Sequence, residues 1–384
     1  MLSMASSQHR QADRRFTWLV GLTLLLSVAV IALGAYTRLT EAGLGCPDWP
    51  GCYGFMTVPK TDAQHALAQQ AFPEHPVEIH KAWNEMLHRY MAGSLGLLIV
   101  AMNVVARRRV DRPRRLPLVL LGIVVFQAML GMWTVTMSLK PVIVMGHLLG
   151  GFTTASLLLV LWLRMLMRQR ARLPAVQSPA HQRLSVRRLA VAGLIVVAVQ
   201  IALGGWTAAN YAAVVCTQLP VCEVDWVSKF DIRAFEPWQP GFQTYQYGVL
   251  NFDQRVSIHA AHRIGAMLTT LVLLLLSWRL WHIGWRRHAV VIVVCLSGQI
   301  ALGVTNVLAS LPLPVAVGHN LGGLSLLLSV LAANWALFRV PAAVSVSRSA
   351  RIPRVKTVRH APLQLQTGSQ GRQTHFGRMT PKSG

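Results

Sequence analysis

Eight separate runs of about 20 mainly apolar residues constrain the fold of this chain more than any other feature. They lie near residues 16–37, 84–106, 116–138, 142–165, 189–210, 257–281, 288–309 and 315–338. Each run is long enough for a helix to cross the hydrocarbon core of a bilayer. With 53% hydrophobic and only 13% charged residues, the composition also excludes a disordered or typical soluble protein. We therefore predict an all-α polytopic membrane protein with eight transmembrane helices.

The distribution of basic residues predicts how these helices are oriented. The chain has 37 Lys and Arg against 13 Asp and Glu, a formal net charge of +24. Of the basic residues, 28 fall before the first span, around the loops after even-numbered spans, or after the last span, whereas 11 of the acidic residues fall elsewhere. By the positive-inside rule, those segments and both termini are cytoplasmic. Membrane topology thus explains the charge, and we expect no nucleic-acid partner.

The sequence repeats itself at offsets of 170 to 174 residues. The matching landmarks are Ala32–Thr37 with Ala202–Thr207, Cys46 and Cys52 with Cys216 and Cys222, His88–Arg89 with His262–Arg263, and Gly146–Gly151 with Gly318–Gly323. A shorter repeat, in which a glutamine is followed by the apolar last turns of a predicted helix, begins at Gln127, Gln200 and Gln299. Units with an even number of spans are parallel repeats. We predict two four-helix bundles related by a pseudo-twofold axis along the membrane normal.

The repeat and the charge divide the chain into five segments. They are a basic cytoplasmic N-terminus (1–15), an N-terminal bundle (16–168), a cytoplasmic linker (169–188), a C-terminal bundle (189–340) and a basic cytoplasmic tail (341–384). The tail has few large apolar residues, so we predict that it is disordered. The first span is longer than the apolar core of a cleavable signal peptide, so we expect it to be retained as a helix.

Each half carries one histidine on its second helix and one on its fourth: His88 with His147, and His262 with His319. Any single one of them could be a hydrogen-bonded packing residue. All four are predicted near the outer helix ends, so the two members of each pair reach the same depth. Helix bundles build cofactor sites from side chains on facing helices, and two facing imidazoles fit axial ligation of haem iron. We therefore predict these histidines as haem ligands.

Glu85 is the sharpest difference between the halves, because His259 takes its place in the second. It is either a charge at the start of a helix or a carboxylate facing the first cofactor, where it moves protons or stabilises developing positive charge. Arg89 and Arg263 directly follow two of the histidines. They either bind haem propionates or extend toward lipid headgroups. The single carboxylate indicates that one half is catalytic.

Two cysteine pairs lie in matching outer loops, Cys46 with Cys52 and Cys216 with Cys222. In an oxidising outer compartment each pair can close a small disulfide ring. Such a ring staples a proline-rich loop or, for the first pair, exchanges with a thiol carrier. We interpret Cys295, in the seventh span, as a small buried apolar residue.

Together these residues resemble the haem A synthase family of bacterial and mitochondrial membranes. The resemblance covers nearly all of residues 16–338. It rests on the motifs Gly34–Arg38, Gly45–Pro50, Glu85–Arg89, Gly146–His147, Ile258–Arg263 and Gly318–His319. It implies an eight-helix enzyme that oxidises the C8 methyl group of haem O to the formyl group of haem A, by successive hydroxylations, for cytochrome oxidase.

The resemblance also implies a role for each candidate residue. On matched positions it implies haem b at His262 and His319, the substrate haem O at His88, His147 and Arg89, Glu85 as the catalytic carboxylate, and the cysteine pairs Cys46–Cys52 and Cys216–Cys222 as disulfides. Expected partners are the bilayer of the bacterial inner membrane, a haem O synthase and a membrane electron donor. A homo-oligomer is compatible with this expectation.

Two other functions fit part of the pattern. A bis-histidine membrane cytochrome b that only carries electrons accounts for the four histidines but gives Glu85 no task. A haem transport or assembly protein would bind its haem weakly and exchangeably.

Overall fold

The computed structural model describes residues 2–108, 112–169, 180–220, 222 and 224–339. These residues form α1 (Leu2–Leu39), α2 (Asp62–Ala71), α3 (Ile79–Arg107), α4 (Arg115–Thr136), α5 (Pro141–Gln169), α6 (Ala180–Ala209), a 3-10 helix (Ile232–Phe235), α7 (Phe252–His282), α8 (Arg286–Leu308) and α9 (Leu313–Arg339). No β-strand occurs among them. All the α-helices except α2, eight in this described part, are long and apolar enough to cross a membrane. The prediction of an all-α protein with eight spans is confirmed.

Four helices begin at least five residues before the predicted spans. The first, α1, reaches back to Leu2, so most of the predicted N-terminal segment 1–15 is helical, because no proline or glycine interrupts it. The third helix, α3, begins at Ile79 rather than near 84, and α7 begins at Phe252 rather than near 257. The sixth helix, α6, begins at Ala180, inside the predicted linker 169–188. Residues 170–179 of that linker and the predicted tail 341–384 lie outside the described residues.

The helices of each half pack as a ring of four neighbours. In the first half, α1 and α4 each contact both α3 and α5. In the second half, α6 and α8 each contact both α7 and α9. The two halves touch through α1, α5, α6 and α9. This packing fits two four-helix bundles, and the pseudo-twofold axis stays a prediction.

Each half has its own apolar core. Phe16, Ile99 and Leu158 belong to the core of the first half, and Leu273 and Ile292 to that of the second. Because lipid tails are as apolar as these side chains, the cores stabilise the bundles through van der Waals packing rather than through removal from water.

Two long loops connect helices at the end of the molecule where α3 and α7 begin. The first long loop (40–78) contains α2, and the second long loop (210–251) contains the 3-10 helix. Thr61 caps α2 and Asn251 caps α7, each in a capping box that satisfies backbone N–H groups of the first turn. The backbone N–H of Tyr245 donates to the carbonyl of Ser138 at 3.0 Å, so the second long loop also contacts the turn between α4 and α5.

Candidate functional site

The two histidines of the first predicted pair face each other across the first half. The ring centroids of His88 on α3 and His147 on α5 lie 6.3 Å apart, with their planes inclined at 82°. Two metal–nitrogen bonds of about 2 Å, with about 1 Å from each nitrogen to its ring centroid, span about 6 Å. The Nδ1 atoms of both imidazoles are buried without a hydrogen-bond partner. The spacing and the orphaned nitrogens fit a haem iron held between the two rings.

Every one of the four predicted histidines lies against a glycine of a neighbouring helix. A Cβ on that glycine would lie 2.9 to 3.4 Å from Cε1 of the imidazole, at or inside the near limit of ordinary contact. The pairs are Gly34 with His88, Gly131 with His147, Gly204 with His262, and Gly303 with His319. The glycines of the repeated helix ends therefore provide the space that the imidazoles occupy.

The second histidine pair has amide neighbours. Nε2 of Gln200 lies 3.0 Å from Nδ1 of His262 and donates to the carbonyl oxygen of the same residue at 2.9 Å. Nε2 of Gln299 lies 3.3 Å from Nε2 of His319. The second half therefore places a glutamine amide beside each of its two predicted ligands.

Glu85 is buried between α3 and the first long loop, with 5% of its surface exposed. Arg89, one turn later on α3, pairs with its Oε1 atom. The backbone N–H of Cys46 donates to Oε2 at 2.9 Å. Both carboxylate oxygens are thus held in place, one turn before His88 on the same helix face. Because α3 begins at Ile79, Glu85 lies in the second turn of the helix, and the first predicted role, a charge at the helix start, is not supported.

The matched position of the second half contains no carboxylate. His259 takes the place of Glu85 on α7 and is equally buried, at 4% exposure. The structure therefore retains the asymmetry seen in the sequence, with a buried carboxylate one turn before His88 and a buried imidazole one turn before His262.

The two arginines that follow the histidines bind loop backbone. Arg89 donates to the carbonyl of Gly51, and Arg263 donates to the carbonyls of Cys216, at 2.7 Å, and Gln218. Both side chains thereby hold a long loop onto the helix that carries them, an arrangement that the sequence did not predict. Contact of either arginine with haem propionates stays a prediction.

Both cysteine pairs are joined. The sulfur atoms of Cys46 and Cys52 lie 2.04 Å apart, and those of Cys216 and Cys222 lie 1.98 Å apart. Within the described residues Cys295 is the free cysteine, and it is only partly buried, which is less than predicted.

Tyr53 anchors the loop around the first disulfide. Burial, reinforced by the carboxylates of Glu78, Glu85 and Asp48, raises the pKa of Tyr53 from 10.0 to about 12. The hydroxyl therefore keeps its proton, which it donates to the carbonyl oxygen of Pro76 at 3.0 Å.

The structure brings His88 and His147 together as a pair rather than in a larger cluster. Among the described residues, no three His, Cys, Asp or Glu side chains are placed to hold a metal ion. Zinc takes four protein ligands, or three with a water. Two imidazoles suit a metal whose remaining ligands come from a macrocycle, as in haem.

These features define a class: a multi-pass membrane protein with eight membrane-spanning helices among its described residues, a facing pair of histidines suited to haem, and a buried carboxylate one helical turn before one of those histidines. Residues 17–331 match the model of the COX15-CtaA family, whose description is cytochrome oxidase assembly protein. The chain belongs to this family.

Proteins with the name heme A synthase are similar to the chain over most of its length. The one from Shewanella oneidensis is 46% identical over 333 residues, which cover 86% of this chain and 99% of that protein. Those from Allorhizobium ampelinum and Paracoccus denitrificans are 30% and 29% identical, covering 84% and 83% of this chain and 89% and 86% of theirs. The family resemblance predicted from the sequence motifs is confirmed.

Proposed function

We propose that the chain is a haem A synthase, an oxidoreductase that converts the C8 methyl group of haem O into the formyl group of haem A. Two successive hydroxylations, each a two-electron oxidation of the methyl carbon by an external oxidant, give a gem-diol, which loses water. The observation that carries the proposal is Glu85, a buried carboxylate beside one imidazole pair and absent from the matched position of the other half. A protein that only carries electrons has no task for this carboxylate.

The two halves bind different haems in this proposal. His88 and His147 hold haem O, because Glu85 lies in their half. His262 and His319 hold haem b as the cofactor. When bound, haem b supplies one-electron redox chemistry at its iron. The support is the geometry of the first pair and the glycine beside each imidazole.

The carboxylate of Glu85 is the catalytic group. Oxidation of a methyl carbon attached to a conjugated ring makes that carbon electron-poor, and a nearby carboxylate stabilises it or accepts its proton. Arg89 and the N–H of Cys46 aim the two oxygens from different parts of the chain, α3 and the first long loop. Arg89 therefore acts through Glu85 as a positioning residue. Its contact with haem O is a further expectation from the family resemblance.

The protein resides in the bacterial inner membrane with both termini in the cytoplasm. The distribution of Lys and Arg supports this orientation. Both long loops, the disulfides and the histidine pairs then lie toward the outer face. A haem O synthase supplies the substrate through the membrane, and a membrane electron donor serves the cofactor.

Glu85→Gln tests this proposal, because it keeps the size of the side chain and removes its charge. We expect the variant to bind haem at the wild-type level and to form haem A at a rate about 10²–10⁴-fold lower, the usual contribution of an acid–base group. Glu78→Gln is the matched control, since Glu78 stands at the start of the same helix with its side chain 56% exposed. Wild-type haem A formation by Glu85→Gln would contradict the role of Glu85.

A further inference from the structure

Three of the four glycines that receive an imidazole are preceded, one helical turn earlier, by a glutamine. Gln127 precedes Gly131, Gln200 precedes Gly204, and Gln299 precedes Gly303. On α1 the matched residue before Gly34 is Val30. His88, which lies against Gly34, is therefore the one candidate ligand without a glutamine at this position.

A second glycine accompanies each glutamine. It lies three residues after the histidine, and a Cβ built there would collide with the glutamine amide. The matched sets are Gln127 with Gly150, Gln200 with Gly265, and Gln299 with Gly322. At the fourth site both members differ together, because Met91 follows His88 where the others have glycine. Because the glutamine and the glycine are both replaced at this site, we infer that the glycine makes room for the glutamine amide at the other three.

In the second half the amides of these glutamines contact the imidazoles. Nε2 of Gln200 lies 3.0 Å from Nδ1 of His262, and Nε2 of Gln299 lies 3.3 Å from Nε2 of His319. In the first half, Nε2 of Gln127 is buried without a hydrogen-bond partner, as is Nδ1 of His147. The amide-to-imidazole contacts are thus found at the pair assigned to haem b.

An imidazole that binds a metal through one nitrogen carries its proton on the other, and that N–H needs an acceptor. The Oε1 atom of Gln200 is buried and has no hydrogen-bond partner. Because Nδ1 of a ligating imidazole carries the proton, the amide nitrogen cannot remain the group that faces it. A half-turn of the amide places Oε1 against Nδ1 of His262 and gives up the bond from Nε2 to the His262 carbonyl. The resulting hydrogen bond provides the ligand N–H with its acceptor and fixes the direction of the ring.

We propose that Gln200 is a positioning residue that accepts a hydrogen bond from the cofactor-binding histidine His262. This inference rests on the proposed function, because it assumes haem b in the second half. When the non-ligating nitrogen donates a hydrogen bond, the imidazole becomes more basic and donates more electron density to the iron. The oxidised iron is thereby favoured, so Gln200 lowers the reduction potential of haem b and slows its release.

The test uses the full-length protein purified with its haem b in lipid nanodiscs. Gln200→Val introduces the residue of the matched position 30 and removes the acceptor. Gln200→Glu keeps the length of the side chain and supplies a stronger acceptor. A redox titration followed by haem absorbance should give a more positive midpoint potential for Gln200→Val and a more negative one for Gln200→Glu. Transfer of haem to apomyoglobin should be about 10–100-fold faster for Gln200→Val.

Gln127→Val is the matched control, because it makes the same change in the first half and should leave the potential of haem b unchanged. The inference would be overturned if the midpoint potential of haem b shifts in the same direction in both Gln200 variants, or if it does not shift in either. Loss of haem b from Gln200→Val alone supports it, whereas loss from both variants with the fold intact shows a packing role and overturns it. A wild-type protein that holds no haem b contradicts the proposed cofactor instead.

Discussion

Gly204→Ala is the substitution that most sharply tests how the bundle makes room for a haem ligand. The new Cβ would lie 3.0 Å from Cε1 of His262, whereas ordinary contacts begin at 3.4 Å. The imidazole must therefore move by about 0.4 Å, close to the tolerance of about 0.5 Å within which a binding site keeps its geometry. Gln200 also restricts this movement, because its amide contacts both the ring and the backbone carbonyl of His262.

The energetic effect on the fold should be small compared with the effect on the cofactor. Inserting a methyl group into a packed site lowers the free energy of unfolding by about 1–3 kcal/mol. Replacing a helical glycine by alanine raises it by up to about 1 kcal/mol. We therefore expect a net loss of about 0–2 kcal/mol in stability. Displacing a ligand that is held by outer contacts should lower haem b affinity by about 10–100-fold.

Haem content by absorbance and thermal unfolding of the purified protein check this prediction. Gly298→Ala is the control, because α8 leaves nothing within 4 Å of a Cβ at that position. It should hold wild-type haem and unfold at the same or a slightly higher temperature. If Gly204→Ala behaves as Gly298→Ala does in both assays, the proposed packing of His262 is wrong.

Three further predictions concern a ligand and the first long loop. His319→Ala should lose haem b, seen as a reduced-minus-oxidised spectrum without the haem b bands; an unchanged spectrum would refute its role as a ligand. Replacing Cys46 and Cys52 by serine should lower stability by about 2 kcal/mol, from the loop entropy of a short ring, and reduce haem A formation through the N–H of Cys46; unaltered activity would separate the loop from catalysis. The raised pKa of Tyr53 stabilises the fold below pH 10.0, and this contribution is lost as the pH rises to about 12. The difference in Tm between wild type and Tyr53→Phe, which lacks the bond to Pro76, should therefore narrow over that range, and a constant difference would contradict it.

The helices could be predicted from the sequence because lipid imposes a simple requirement, a long apolar run. The histidine pairs could be predicted because the repeat places them at matched positions. The start of α1 at Leu2 could not, since residues 2–15 are polar and their helix depends on the absence of a breaker rather than on apolarity.

The surroundings of Glu85 could not be predicted for a different reason. Its partners, Arg89 and the backbone N–H of Cys46, include a group on a loop 39 residues away in sequence. Backbone hydrogen bonds across such a separation leave no residue pattern. The glutamines beside His262 and His319 did leave a signal, because they open the repeated helix ends, but only the structure shows what their amides touch.

The haems extracted from this chain after expression beside a haem O synthase, in a host that makes no haem A of its own, test the central claim most directly. Chromatography and mass determination distinguish haem b, haem O and the formyl-bearing haem A. The proposed function predicts haem A together with haem b from the wild-type protein. Haem b and haem O without any formyl-bearing haem would contradict it.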